Sequence, residues 1–370
     1  MGNKINKICA CENEKNVNFE QNLSNNKKNV IKIKNKELLL IKSRNFLNNN
    51  NFNSSNFSTS LENKLFSNSI QINEIYYKNG DFYKGEILIK NNQKIKNGKG
   101  KYFFNISNNN NNNNFNKENN EYYYEGEFQN DKFHGKGILN LPNLNYKGNF
   151  INGFKNGKGI LKDYKNNIIY IGEFLNDFIQ GEGIEINNNN NTKYVGNFIN
   201  NKKFGKGKLF FNINNNNNEF YEGNFKNDKF NGKGIYKWSK NKFCIGNWKD
   251  NFLKGFGKFY EKDEIFFGFF NNNKKEGLGI KFYKENKLLI ISHWMNDLIE
   301  GLAIFANKND IEYYEMKNNK RINKLNLIDI NNNIEKLDEF RRLKEFYFCL
   351  EQNDELNQEI FKNYVKLFNE

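Results

Sequence analysis

One frame recurs through the middle of this chain and limits its fold more than any other feature: Tyr-x-Gly-x-aromatic, a polar turn, then Gly-x-Gly. It is clearest at Tyr221-Glu-Gly223-Asn-Phe225, which runs on to Gly232 and Gly234. The same spacing holds for Tyr124, Gly126, Phe128, Gly135 and Gly137, and for Tyr146, Gly148, Phe150, Gly157 and Gly159. It holds again for Tyr170, Gly172, Phe174, Gly181 and Gly183, and for Tyr194, Gly196, Phe198, Gly205 and Gly207. Looser copies are led by Cys244 (with Trp248, Gly255 and Gly257) and Phe266 (with Phe270, Gly277 and Gly279). A decayed copy reads Ile290, Ser292, Trp294, Gly301 and Ala303, and an opening copy led by Tyr83 reaches Gly98 and Gly100 after extra residues. Self-similarity at a fixed period, with strict copies central and irregular copies terminal, is the signature of a stacked array.

The physics of one unit follows from strand geometry. Side chains at i, i+2 and i+4 share a face, so Tyr221, Gly223 and Phe225 point one way while Glu222 and Asn224 point the other. Asn227-Asp228 is turn chemistry, in which short polar side chains bond their own backbone and tolerate positive φ. Gly232, Gly234 and Tyr236 then alternate with Asn231, Lys233 and Ile235 in the return strand. Each unit is thus expected to be a β-hairpin. Glycine inside a strand marks close approach by something else, here the Tyr and Phe rings laid over Gly-x-Gly. The fold expected is all-β, an elongated, twisted, single antiparallel sheet of stacked hairpins. Asn-rich runs at Asn108–Asn114, Asn187–Asn191 and Asn214–Asn218 all fall on the connection between units, as loop insertions do.

The pattern resembles the MORN (membrane occupation and recognition nexus) repeat family over roughly Tyr83 to Phe305. The resemblance implies a non-enzymatic scaffold that joins membranes to cytoskeletal or ciliary proteins, as in junctional membrane complexes, protist cortical scaffolds and ciliary spoke heads. Under that reading Tyr124, Tyr146, Tyr170, Tyr194, Tyr221, Phe128, Phe150, Phe174, Phe198, Phe225 and Trp248 form an aromatic face for packing or binding, with the tyrosine ring edges available as contacts. The alternatives are direct recognition of acidic phospholipids by the array's lysines, and a regulatory subunit of an enzyme assembly.

The chain ends carry different signals. Met1-Gly2-Asn3-Lys4 places Gly2 as an N-myristoylation site, although Asn6 departs from the preferred Ser or Thr, and Cys9 and Cys11 stand where palmitoylation would follow. One myristoyl chain binds a bilayer only marginally, so a second acyl chain or nearby lysines must add to it. Residues 1–50 carry ten Lys/Arg against four Glu, and residues 326–370 carry six against ten acids, within an overall net charge of +15. That asymmetry fits orientation on an anionic surface. Residues 1–75 read as a mostly disordered basic tail, with Val30 to Ile41 alternating like a strand. Residues 76–308 read as the array, and residues 309–370 as helical, with Ile334, Leu337, Phe340, Leu343, Phe346 and Leu350, then Leu356, Ile360, Tyr364 and Leu367, at helical spacing. Those helices cap the array or form a homodimer contact, and Cys349 sits beside the apolar stripe as a buried thiol.

The chemistry-bearing residues are sparse. Gly-Lys-Gly at Gly135, Gly157, Gly205 and Gly232 lacks the spacing and the following Ser/Thr of a phosphate loop, so lysines such as Lys158 and Lys233 are placed on the face opposite the rings. His134 and His293 lie in different units without metal spacing and read as isolated surface histidines. The four cysteines show no disulfide or zinc pattern. No cofactor, metal or catalytic group is indicated, and nucleic acid is disfavoured because the regular aromatics are accounted for by packing. No apolar run is long enough to span a bilayer. The expected location is the cytoplasmic face of a membrane, at the plasma membrane, cortex or cilium.

Overall fold

The computed structural model describes residues 71–105, 122–214, 218–307 and 309–353, with backbone alone at 71 and 348–353. Gly2, Cys9, Cys11, the segment 30–41, the run Asn108–Asn114, the side chain of Cys349 and the stripe from Leu356 onward lie outside these residues. The described residues hold 21 strands of one antiparallel sheet, followed by two helices. They divide into two units, one of residues 71–286 with 293–299, the other of residues 287–292 with 300–353.

In the larger unit each strand pairs with the next. Tyr123–Gln129 pairs with Lys132–Leu141, which pairs with Leu144–Ile151, which pairs with Phe154–Asp163, and the register repeats in every hairpin. Glycine faces glycine across both kinds of pairing: Gly148 opposes Gly159 within a hairpin and Gly137 between hairpins. Every hairpin closes on two residues of positive φ, such as Asn130 and Asp131 or Asn176 and Asp177. That is the two-residue turn whose twist matches the strands it joins.

Beyond the turn the register slips. Gly148 pairs with Gly159, yet Phe150 pairs with Lys155, so the return strand carries extra residues and Gly157 adopts φ 71° there. A non-glycine residue would be strained in that conformation. The first glycine of each Gly-x-Gly therefore makes the bulge, while the second makes room for a ring. These are separate demands on two residues that look alike in sequence.

The smaller unit departs from the expected boundary. Ile311–Lys317 and Lys320–Leu325 form a further hairpin, closed by Asn318 and Asn319 at positive φ. Residues 309–325 are thus strand and turn rather than helix. Tyr314 and Met316 are its buried residues, but it has no glycine pair, so the repeat pattern does not detect it. Helix α1 (Leu327–Asn331) starts at Asn326 with a reciprocal cap to Asp329, and α2 (Ile334–Asn353) follows. Helix α2 buries Leu343, Phe346 and Tyr347, sets Phe340 5.6 Å from Tyr313, and takes the Leu302 N–H on Glu339 at 3.0 Å.

Candidate functional site

The repeat residues assemble into a ladder of rings. Tyr83, Tyr124, Tyr146, Tyr170, Tyr194 and Tyr221 are at most 1% exposed. Each tyrosine lies over its own glycine pair: a Cβ on Gly159 would stand 2.5 Å from Tyr146 Cε2, and one on Gly137 would stand 2.5 Å from Tyr124 Cε2. No side chain larger than hydrogen fits beneath the ring. Each phenol hydroxyl then donates to the carbonyl three residues on, beside the register slip. Tyr124 donates to Glu127 at 2.9 Å, Tyr146 to Asn149 at 3.0 Å, Tyr170 to Glu173 at 3.1 Å, Tyr194 to Asn197 at 3.0 Å and Tyr221 to Asn224 at 3.1 Å. A bulge disrupts the ladder locally, and the hydroxyl supplies a partner at that point. Burial pushes the Tyr146 phenol up to about 12, and the other five leading tyrosines are raised by burial as well.

Phenylalanines join one tyrosine to the next. Phe150 meets Tyr146 of its own unit and Tyr124 of the preceding one, both edge-on at 5.1 Å. Phe128, Phe174, Phe198 and Phe225 do the same, and Trp248 closes the run on Tyr221 at 5.4 Å while its indole N–H donates to Gly234 O at 3.2 Å. Edge-to-face pairs contribute about 0.5–1.5 kcal/mol each beyond area burial. The result is continuous from Tyr83 to Trp248.

Two corrections to the sequence reading follow. The tyrosine ring edges are not available as contacts, because the glycine pair beneath and the neighbouring rings enclose them. The second turn residue bonds the preceding unit's backbone, not only its own. Asp177 Oδ1 accepts from Lys155 N at 2.9 Å while Asp177 N donates to Lys155 O at 3.0 Å. Asn201 with Ile179, Asp228 with Lys203, Asn251 with Phe230 and Asn273 with Leu253 repeat this two-point clamp. Gly153 keeps only the backbone half, donating to Phe133 O at 2.9 Å. Sequence reasoning took the Asn/Asp requirement as positive φ and a bond to the residue's own backbone; the Asn or Asp at the second turn position of every unit but the one led by Tyr146 was the signal.

The second residue after the turn was also missed. Phe133 stacks on Tyr124 at 3.8 Å and Phe230 on Tyr221 at 3.7 Å, while Lys203 Nζ stands 5.3 Å above the Tyr194 ring and pairs with Glu185 at 2.6 Å. Lys158 opposes Glu173 and Lys233 opposes Asn247, off the ring face as expected. His134 is half-buried rather than a surface residue, its carbonyl accepts from Tyr124 at 3.2 Å, and its Nδ1 is buried with no hydrogen-bond partner among the described residues. Burial pushes the Cys244 thiol up to about 12, which keeps it protonated and unreactive at neutral pH. No group of His, Cys, Asp or Glu able to hold a metal occurs among the described residues. No helix among them is long and apolar enough to cross a membrane.

Comparison with known proteins agrees with this geometry. No curated protein matches the chain. Among solved structures, selenomethionine-substituted virginiamycin B lyase from Staphylococcus aureus aligns over 68% of this chain and 86% of its own, at 10% identity and a TM-score of 0.11. That likeness carries no argument. The MORN repeat family model matches residues 124–145, 146–168, 170–192, 194–215, 221–242, 244–261 and 266–285. Glycine pair, bulge and turn coincide with those matches unit by unit, with a leading ring in all but the Cys244 unit, and the chain carries seven MORN repeats.

Proposed function

We propose that this protein is a non-enzymatic scaffold that holds other proteins, cytoskeletal or ciliary among them, at the cytoplasmic face of a membrane. The tether is the N-terminal segment acylated at Gly2 and then at Cys9 or Cys11, and the array is the protein-binding part. The observation that carries the reading is the use made of the repeat residues. Tyrosine, glycine pair, phenylalanine and turn are all engaged in packing one hairpin on the next, so the array offers partners its length and its variable surface rather than a reactive group. MORN repeats themselves support membrane association or protein binding in general.

A second reading has its own observation: Lys136, Lys158 and Lys206 are exposed and occupy the same position in three of four successive units, opposite the rings, with Glu182 in the fourth. Such a row fits acidic phospholipid headgroups. One experiment separates the two. Full-length chain is prepared unmodified and with N-myristoylation plus palmitoylation at Cys9 and Cys11, and is sedimented with phosphatidylserine-containing and purely phosphatidylcholine vesicles at physiological salt. A tethered scaffold binds both vesicle types only when acylated. Binding of the unmodified chain to the acidic vesicles alone, lost when Lys136, Lys158 and Lys206 are replaced by Gln, establishes lipid recognition by the array, and no binding by the acylated chain overturns the tether.

A further inference from the structure

The ring face repeats from unit to unit, but the residues flanking the hairpin turns do not. In most hairpins the pair that closes the turn is polar on one or both sides: Gln129 with Lys132, Lys226 with Lys229, Asn271 with Lys274. In the units led by Tyr146 and Tyr170 it is apolar on both sides, Ile151 with Phe154 and Leu175 with Phe178, and the next unit continues with Ile199. These five side chains are 41–52% exposed, and Phe204 beside them is 38% exposed. All stand on the side away from the rings, because each neighbours a ring-face residue: Phe150, Lys155, Phe174, Ile179, Phe198 and Lys203. Nothing in the hairpin fold requires this. Apart from Met295 and Leu298 of the unit led by Ile290, which stand alone rather than in a run of neighbouring units, every other hairpin has Lys, Gln or Asn on at least one side there.

The row has a geometry of its own. It crosses five successive strands about 4.8 Å apart, and between hairpins it steps two residues along the strand, since the registers Gly157 to Phe174 and Gly181 to Phe198 set Leu175 level with Asn156 and Ile199 level with Gln180, which gives a diagonal of roughly 23 Å. An α-helix lying across the strands brings an apolar residue to its contact face every three or four positions, about 5 Å of axial rise. The row alternates a short step within a hairpin with a longer one between hairpins, as an apolar stripe alternates three and four residues. A β-strand added in the same direction would present a side chain every ~7 Å on one face and would fall out of step. The neighbouring row of the same surface carries Lys158, Glu173, Glu182, Asn197 and Lys206 on consecutive strands, and its four charged residues are all exposed. Its charge reads positive, negative, negative, neutral, positive.

We propose that Ile151, Phe154, Leu175, Phe178, Ile199 and Phe204 form a docking row for an amphipathic helix of a partner protein. Its apolar stripe has three/four spacing, and its flank is acidic at both ends and basic in the middle. This rests on the scaffold reading and specifies its contact surface. The charge pattern supplies register and orientation, and the apolar row supplies most of the affinity.

The test uses the unmodified full-length chain and three synthetic amphipathic helices of about 18 residues, a length set by the row. One carries leucines at the matched spacing with the acid–base–acid flank. The second inverts the flank, and the third scrambles the leucines. Fluorescence anisotropy is expected to rank the matched peptide at least about tenfold tighter than either control. The substitution pair Phe154→Asp and Phe178→Asp is expected to remove that preference while leaving Tm within about 2 °C, because both side chains are half-exposed. Equal binding of all three peptides, or undiminished binding by the pair variant, overturns the proposal. So does a homodimer in sedimentation velocity that the pair variant dissolves, or vesicle binding that it abolishes. Photo-crosslinking residues at positions 178 and 233 separate this failure from that of the scaffold reading. Protein adducts at 233 alone discard the row and keep the scaffold; adducts at neither discard both.

Discussion

The unit led by Tyr146 and the unit led by Cys244 carry the same glycine pair and fill the space above it differently. Tyr146 covers Gly148 and Gly159 with its own ring, and the second residue after the turn is Lys155. Cys244 is too short to reach, and the nearest atom to a Cβ built on Gly246 is Leu253 Cδ1 at 2.7 Å. Leu253 occupies the register position of Lys155. An aliphatic side chain from across the hairpin has replaced the ring, and both Cys244 and Leu253 are buried. What the array conserves is filled volume over bare backbone, and the rigid ring does so with more contacts to its neighbours. In the phenylalanine-led unit the ring returns: Phe266 covers Gly268 and Gly279 and meets Trp294 at 5.2 Å.

The largest test of this contrast is a single methyl group. Gly159→Ala sets a Cβ against the Tyr146 ring, which neighbours hold on every side, and the expected loss is about 3 kcal/mol or more. Gly246→Ala meets the movable end of Leu253 at 2.7 Å and the backbone of Gly257 and Phe256 only at 3.2 and 3.3 Å, and about 1–2 kcal/mol is expected. Thermal and urea unfolding of the two variants measure the difference, and equal losses would break the comparison. Cys244→Tyr alone overpacks against Leu253 and costs about 1–3 kcal/mol. Adding Leu253→Lys recreates the Tyr146–Lys155 arrangement and restores at least half of that loss. A double-mutant cycle reads the coupling, and strict additivity would show that the two side chains do not share one space.

Alkaline pH probes the same rings. Tyr146 is raised to about 12 by burial, above the value near 10 of an exposed phenol. Its contribution is fully present below pH 10 and is lost as pH rises toward 12, because the unfolded chain releases a proton that the folded chain holds. The slope is about 1.4 kcal/mol per pH unit for each such ring. Tyr146→Phe makes the loss shallower by one proton and costs about 1 kcal/mol at neutral pH for the missing hydrogen bond to Asn149. Unfolding midpoints between pH 9 and 12 give both quantities.

The smallest effect expected is a gain. Gly153 lacks the side-chain half of the clamp, so Gly153→Asn offers an acceptor to Phe133 N and is expected to stabilise by about 0.5–1 kcal/mol. Asp177→Ala, which removes the same acceptor from an intact clamp, costs about 1–2 kcal/mol and includes strain at φ 70°.

Much of the molecule was legible before any coordinates. Alternation with period two assigned Tyr146, Gly148 and Phe150 to one face, and the paired glycines marked where rings would lie, because both follow from the local geometry of a strand. Three things were decided only by tertiary structure. The hairpin Ile311–Lys317 with Lys320–Leu325 has no glycine to announce it, since Tyr314 and Met316 are the residues it buries and no ring lies over bare backbone there. The direction in which Asp177 bonds depends on how far one hairpin is offset from the next, and that offset is set by a bulge which spacing alone does not orient. The exposed row through Ile151 and Phe178 joins residues more than twenty positions apart, and its continuity appears only when strands lie side by side at about 4.8 Å. Within a hairpin the sequence determined what each residue does; between hairpins the register did, because contacts there join residues that no local rule relates.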